Sequence, residues 1–188
     1  MWSGHWKLIL LAGCVLSLSA RELNMQSADP KKNVPAIPEM VGATSSPSMI
    51  GPGPSQISLQ IHAPTGPAAL SAGAARRQVS LRLENLTCDR RAPTFDVYLN
   101  VPPGGKPENY PELHAGSLGM FGLVESSTGS GNHPATGMTF KFDISELFAR
   151  LSARQDWDPN VLRLSFVPLL WDAPVPQVRV GRVSLYFQ

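Results

Sequence analysis

The segment Thr94-Phe95-Asp96-Val97-Tyr98-Leu99-Asn100 constrains the fold of this chain most. Phe95, Val97 and Leu99 alternate with Asp96, Tyr98 and Asn100. A period of two places one set of side chains in a core and the other on a polar surface, which is the pattern of a half-buried β-strand. The same alternation recurs along the chain. Ser55–His62 carries Ile57, Leu59 and Ile61 on one side, and Gln78–Leu86 carries Val79, Leu81 and Leu83. Met138–Phe142 and Val161–Val167 read the same way, the latter through Leu162, Leu164 and Phe166. Ala115–Val124 reads as a glycine-punctuated strand anchored by Leu118, Met120 and Phe121, and Gln177–Phe187 closes the chain. In that last strand the apolar phase moves from Val180 to Val183, and a β-bulge at Gly181 accounts for the shift.

Turn chemistry supports this reading. The chain holds 18 Pro and 16 Gly in 188 residues, which favours strands and turns over long helices. Pro102-Pro103-Gly104-Gly105 ends the strand that begins at Thr94, because proline supplies no ladder donor and glycine permits a reversal. The periodicity predicts one short helix, Ile144–Arg154, with Ile144, Leu147, Phe148 and Leu151 on one face. A capping box of Asp143 and Glu146 would start it. Pro64–Ala75 and Ser126–Gly137 read as small-residue loops. The expected fold is mainly all-β: an antiparallel β-sandwich or barrel of about seven strands with one short helix.

Ahead of that domain, Lys7 precedes the uncharged, mostly apolar stretch Leu8–Ala20. It is shorter than the roughly 20 residues that span a bilayer as a helix, and it suits a signal sequence over residues 1–20. Leu11-Ala12-Gly13-Cys14 is similar to a lipobox, with Cys14 as the acylated residue. Ser17-Leu18-Ser19 or Leu18-Ser19-Ala20 would instead serve ordinary cleavage, and a start inside a longer reading frame is a third reading. The expectation is an exported chain, periplasmic, secreted or lipid-anchored. Residues 21–54, broken by Pro30, Pro35, Pro38, Pro47, Pro52 and Pro54, read as a linker to a domain over 55–188. With 1–20 removed, Cys88 stands alone, so an intrachain disulfide is excluded and Cys88 is expected to pack as a small hydrophobe.

The chemistry-bearing residues are sparse. The histidines are His5, His62, His114 and His133, without the helical spacing that places two ligands on one face. Cys88 is followed by Asp89-Arg90-Arg91 rather than by the His and Met of a blue-copper loop. The chain lacks a Gly-x-Ser-x-Gly elbow, a P-loop and a dinucleotide fingerprint. Asp156 and Asp158 flank Trp157 where turn formation explains them, and Asn85-Leu86-Thr87 matters as a sequon only in a eukaryotic secretory pathway. Arg76-Arg77 and Arg90-Arg91 are isolated pairs at a net charge of +2, not the clustered stripe that nucleic acid requires. No catalytic residue, metal ligand or cofactor site is legible, and none is expected.

Several segments, in order, carry a resemblance to the C-terminal domain of the tyrosinase and polyphenol oxidase family. Phe95-Asp96-Val97 resembles the Lys-Phe-Asp-Val run of that domain, with Thr94 in place of the usual Lys. Pro38-Glu39-Met40-Val41-Gly42-Ala43-Thr44 is similar to the connector that follows the copper-binding domain. Leu83-Glu84-Asn85-Leu86-Thr87, Ala115-Gly116-Ser117-Leu118 and Val180-Gly181-Arg182-Val183-Ser184-Leu185-Tyr186 are similar to its strands. The resemblance runs from residue 38 to the end and omits the copper-binding domain, whose binuclear site needs six imidazoles. It implies a non-catalytic domain that docks on a type-3 copper oxidase and shields its site from substrate with a loop side chain. Tyr110, Leu113 and Phe121 are the candidates for that contact, Phe121 having a core role as its alternative. The alternative function is an exported β-sandwich binding or adhesion module unrelated to copper. The implied partner is a copper oxidase domain or subunit, with no nucleic acid, and a membrane only through Cys14.

Overall fold

The computed structural model describes residues 37–63, 78–129 and 134–188. The signal, Cys14, His5, His133 and the Pro64–Ala75 loop lie outside the described residues. Ten strands are described: β1 (Glu39–Ala43), β2 (Ser48–Ile50), β3 (Ser55–Gln60), β4 (Val79–Leu86), β5 (Phe95–Leu99), β6 (His114–Leu118), β7 (Met138–Asp143), β8 (Val161–Pro168), β9 (Val178–Val180) and β10 (Arg182–Phe187). One sheet runs β1-β10-β4-β7 and a second β3-β8-β5-β6, with β2 and β9 paired as a ribbon. Every pairing is antiparallel. The sheets do not join into a closed barrel, so the architecture is a sandwich.

The core follows from the alternation. Phe95, Val97 and Leu99 of β5 are fully buried, as are Leu81 and Leu83 of β4, Leu164 and Phe166 of β8, and Leu185 of β10. Tyr98 departs from the simple pattern. It takes the opposite face, yet it is buried there, its ring 5.1 Å from that of His114. That burial raises the phenol pKa, and the negative charges of Asp96 and Glu108 raise it further.

Residues 39–50, read from their prolines as linker, are strands instead. β1 forms the edge beside β10, with Met40 opposite Tyr186, and Val41 and Ile50 are buried. Pro38, Pro47, Pro52 and Pro54 fall just outside β1 and β2, where a missing N–H costs no ladder bond. The second correction concerns Ala115–Val124. Only His114–Leu118 is strand, and after a turn at Phe121-Gly122 the chain enters a helix, α1 (Leu123–Thr128), which takes the end of the expected strand and the start of the expected loop Ser126–Gly137. Gly122 takes φ +78°, a left-handed turn that ends the strand direction.

Gly181 separates β9 from β10, and the phase shift is real, since Val178 and Val180 are buried before it and Val183, Leu185 and Phe187 after it. Its N–H donates to the Asn85 carbonyl at 3.2 Å, and Asn85 is itself left-handed at φ +55°. A Cβ on Gly181 would lie 2.7 Å from the Asn85 Cβ, so the two strands approach there only because the residue is glycine.

The sides of the sandwich close at two further glycines. Gly42 bridges to Ile61, and Gly116 lies under the ring of Phe142, where a Cβ would sit 2.6 Å from Phe142 Cε1. Gly116 also holds φ +145°. Gly116→Ala is therefore expected to cost about 1–3 kcal/mol through overpacking and backbone strain. Phe142→Leu in the same chain should recover the overpacking part, read by urea denaturation of both variants; equal stability of Gly116→Ala and the parent would refute the contact.

The second helix, α2 (Ser145–Ser152), buries Leu147 and Leu151. Phe148 packs edge-on against Phe187 at 5.4 Å and Trp157 at 5.5 Å. The expected capping box does not form. Ile144 occupies the cap position, and Asp143 before it accepts from the Ser145 N–H at 3.0 Å and from the Ser145 hydroxyl. That hydroxyl accepts in turn from the Val79 N–H at 2.9 Å, which ties the helix start to β4. These hydrogen bonds hold the Asp143 pKa below its ordinary value of 3.8, those from the Ser145 side chain foremost. A lowered carboxyl pKa adds stability above the unfolded value and loses it as pH falls through the folded one. Asp143→Asn is expected to flatten the acid limb of stability below about pH 4. Parallel melting curves of parent and variant from pH 6 to pH 2.5 check this, and identical acid limbs would refute it.

Candidate interaction surface

The two most exposed large apolar side chains, Leu170 and Phe121, lie in the loops that leave one end of a sheet, where β5 begins and β6 and β8 end. Leu118 and Pro168 both pair with Phe95, so the loops that follow β6 and β8 leave the same end of the sheet. The Leu169 N–H donates to the Thr94 carbonyl at 2.9 Å, which fixes the second loop to the start of β5. Phe121 is 98% exposed although its neighbours Met120 and Leu123 are buried. The Leu123 N–H donates to the Met120 carbonyl at 3.2 Å, so Phe121 stands out from a turn pinned on both sides. Leu170 is fully exposed, and Leu169 and Trp171 remain 44% and 40% exposed. Phe121 and Trp171 line one shallow depression of about 320 Å³ together with Arg91, Thr94, Met120 and Glu125. Such apolar exposure at one end of a sandwich, rimmed by Arg91 and Glu125, is the pattern of a protein contact surface.

The three candidate contact residues are not brought together. Leu113 is buried at 2% exposure and so offers no surface to a partner. Tyr110 is half-buried against the core, its ring close over Gly105. Both belong to a loop that folds back through two short 3-10 turns, Pro107–Asn109 and Pro111–Leu113, whose backbone bonds turn its apolar side chains inward. That loop precedes β6, and Phe121 follows it, so they lie at opposite ends of the strand. Of the three, Phe121 alone is fully presented to solvent, and the core alternative for it does not hold. Sequence reasoning passed over Leu169, Leu170 and Trp171. Their signal was a Leu-Leu-Trp run directly after a strand and before Pro174, without alternation to bury it.

Other reactive groups are held in structural roles. Cys88 is buried, its thiol donating to the Gln177 carbonyl at 3.4 Å and its N–H to the Ser127 hydroxyl at 2.9 Å. It borders an open depression of about 650 Å³ with Met49, Asp89, Arg90 and Arg179. His114 lies 3.4 Å from Asp96, whose carboxylate also accepts from Ser117. His62 stands apart from it, past the end of β3. Among the described residues no three His, Cys, Asp or Glu side chains stand together as metal ligands. The donor set of this chain does not suit a binuclear copper centre, since His62 and His114 sit on separate strands' ends and four histidines exist in all.

The chain is 29% identical over 161 residues to Tyrosinase HcTyr1 of Hahella sp. (strain CCB-MM4), a match that covers 83% of this chain and 34% of the relative. It is thus homologous to part of a tyrosinase and spans about a third of that protein's length. Among solved structures it is similar to latent apple tyrosinase, at 18% identity over 80% of this chain and 27% of the other, with a TM-score of 0.38. It is also similar to a latent aurone synthase (polyphenol oxidase), at 13% identity over 72% and 25%, with a TM-score of 0.43. Residues 37–188, which hold every described strand, match the model of one family throughout, and the chain belongs to that family, described as Domain of unknown function (DUF7868).

Proposed function

We propose that this chain is a non-catalytic domain that docks on a type-3 copper oxidase and shields its site, and that it does so through the end carrying Phe121, Leu170 and Trp171. One observation carries the reading: the homology to a tyrosinase falls on a third of that enzyme. The apolar end supplies a means. A rigid turn that holds an aromatic ring clear of the surface can enter a concave site where strand faces cannot. Phe121 would occupy the space of a substrate ring, with Leu170 and Trp171 sealing the contact around it. Export of the chain, with or without a lipid at Cys14, belongs to the same proposal.

The test uses the part of the Hahella tyrosinase outside the matched third, expressed alone, as the oxidase. Added chain is expected to suppress its oxidation of a catechol. Phe121→Ser with Trp171→Ser is expected to weaken that suppression at least tenfold while the chain still melts cooperatively, since neither ring belongs to the buried core. The chain by itself, given copper, is expected to oxidise catechol no faster than free copper. Undiminished inhibition by the double variant would move the contact elsewhere. Absence of association would return the chain to a binding module unrelated to copper.

A further inference from the structure

The outer face of the β1-β10-β4-β7 sheet carries a second feature, far in character from the apolar end. Lys141 on β7 stands directly opposite Arg82 on β4, and Ser184 on β10 faces Arg82 from the other side. Directly opposed residues have Cβ atoms about 4.5–5.5 Å apart, and like charges there disfavour the pairing. Arg182 on β10 pairs with Glu84, two residues along β4 from Arg82, so the two guanidiniums are diagonal neighbours. Three cations therefore cross three adjacent strands.

The acids on this face are already engaged. Glu84 accepts from the Ser184 hydroxyl at 2.9 Å, and Asp143, beside Lys141, is held by Ser145. Among the described residues none of the three cations has an ion-pair partner. Arg82 lies over the Tyr186 ring, its Cζ 4.3 Å from the centroid, and its Nε is shut off from solvent without a hydrogen-bond partner. Arg182 directs a guanidinium nitrogen at the Met40 sulfur, a weak acceptor, at 3.0 Å. A guanidinium stacked on an aromatic face keeps its outer N–H groups in a fixed fork, the geometry that matches a carboxylate.

We propose that this face binds an acidic peptide segment of a protein partner, with carboxylates received by Arg82, Lys141 and Arg182. The cations lie on a sheet face and not in a cleft, which suits an extended segment. Glu84 and Asp143 lie beside the cations on the same face, and their negative charge makes it a poorer site for the dense phosphate charge of nucleic acid. The site is independent of the apolar end and of any copper chemistry.

The experiment titrates the full chain into fluorescein-labelled hexaglutamate and follows anisotropy at 20 mM and 150 mM salt, with a labelled oligo-dT of equal charge alongside. Hexaglutamate is expected to bind, more weakly at higher salt, and better than oligo-dT. Arg82→Gln with Lys141→Gln is expected to weaken binding at least tenfold. A carbodiimide cross-link of hexaglutamate to the unaltered chain, mapped by mass spectrometry, is expected on Lys141 and not on Lys106, which is exposed as well, and it reads the site even where the double variant fails to fold. Absence of binding, equal labelling of Lys106 and Lys141, undiminished binding by a folded double variant, or preference for oligo-dT would each overturn the proposal.

Discussion

Replacing Phe95 by Ala is expected to cost about 3–5 kcal/mol of folding stability. The ring is fully buried, and β5 is an interior strand, paired with β6 on one side and β8 on the other. Its removal therefore leaves a cavity that neither neighbour can move in to fill without breaking its own ladder. Guanidinium denaturation of parent and variant measures the difference. A cost below about 1 kcal/mol would mean that the core has collapsed around the site, contrary to close packing on both sides. Phe95→Leu, which keeps most of the volume, should recover more than half of the loss.

A chain beginning at Ser55 is expected not to melt cooperatively, whereas one beginning at Ile37 is expected to fold. Reading prolines alone placed the domain start at Ser55, and the structure moves that expectation. β1 covers the edge of β10, and its Val41 is buried; Ile50 of β2 is buried as well and pairs with Val178. Loss of each such aliphatic anchor costs about 2–5 kcal/mol even as a truncation to Ala, against a total stability of about 5–15 kcal/mol for a domain. Bare edges on β10 and β9 would add unpaired backbone groups and a route to aggregation. Calorimetry of the two shortened chains distinguishes the outcomes, and a sharp transition in the chain from Ser55 would show that β1 and β2 are dispensable.

Legibility in the sequence followed the kind of physical signal available. The long alternating segments declared themselves: β4, β5 and β8 lie where Leu81, Phe95 and Leu164 put them, because a period of two leaves one buried face whatever the neighbours are. The helix at Ser145 was equally visible from Leu147 and Leu151. β1 and β2 were not. β2 has three residues, too few to show a period, and its prolines flank it rather than break it. α1 was hidden by its polar Ser-Ser-Thr composition, and it is held in place by contacts such as the Ser127 hydroxyl accepting from Cys88 rather than by helix propensity.

The candidate site divides along the same line. Its residue types could be named from the chain, Phe121 among them, but exposure is a property of three dimensions. Met120, Phe121 and Leu123 look alike in sequence, and only the turn at Gly122, together with the packing of its two neighbours, sends Phe121 outward. Leu113 looked like a loop residue and is buried, because two 3-10 turns fold its loop onto the core. By itself the sequence determined the strand pattern, the mainly β class and the scarcity of reactive groups, since these depend on local alternation and on residue count. The tertiary structure decided which strands share a sheet, where Gly42, Gly116 and Gly181 let backbones approach, and which apolar side chains remain for a partner. Those outcomes depend on contacts between residues far apart in the chain, and local pattern carries no record of them.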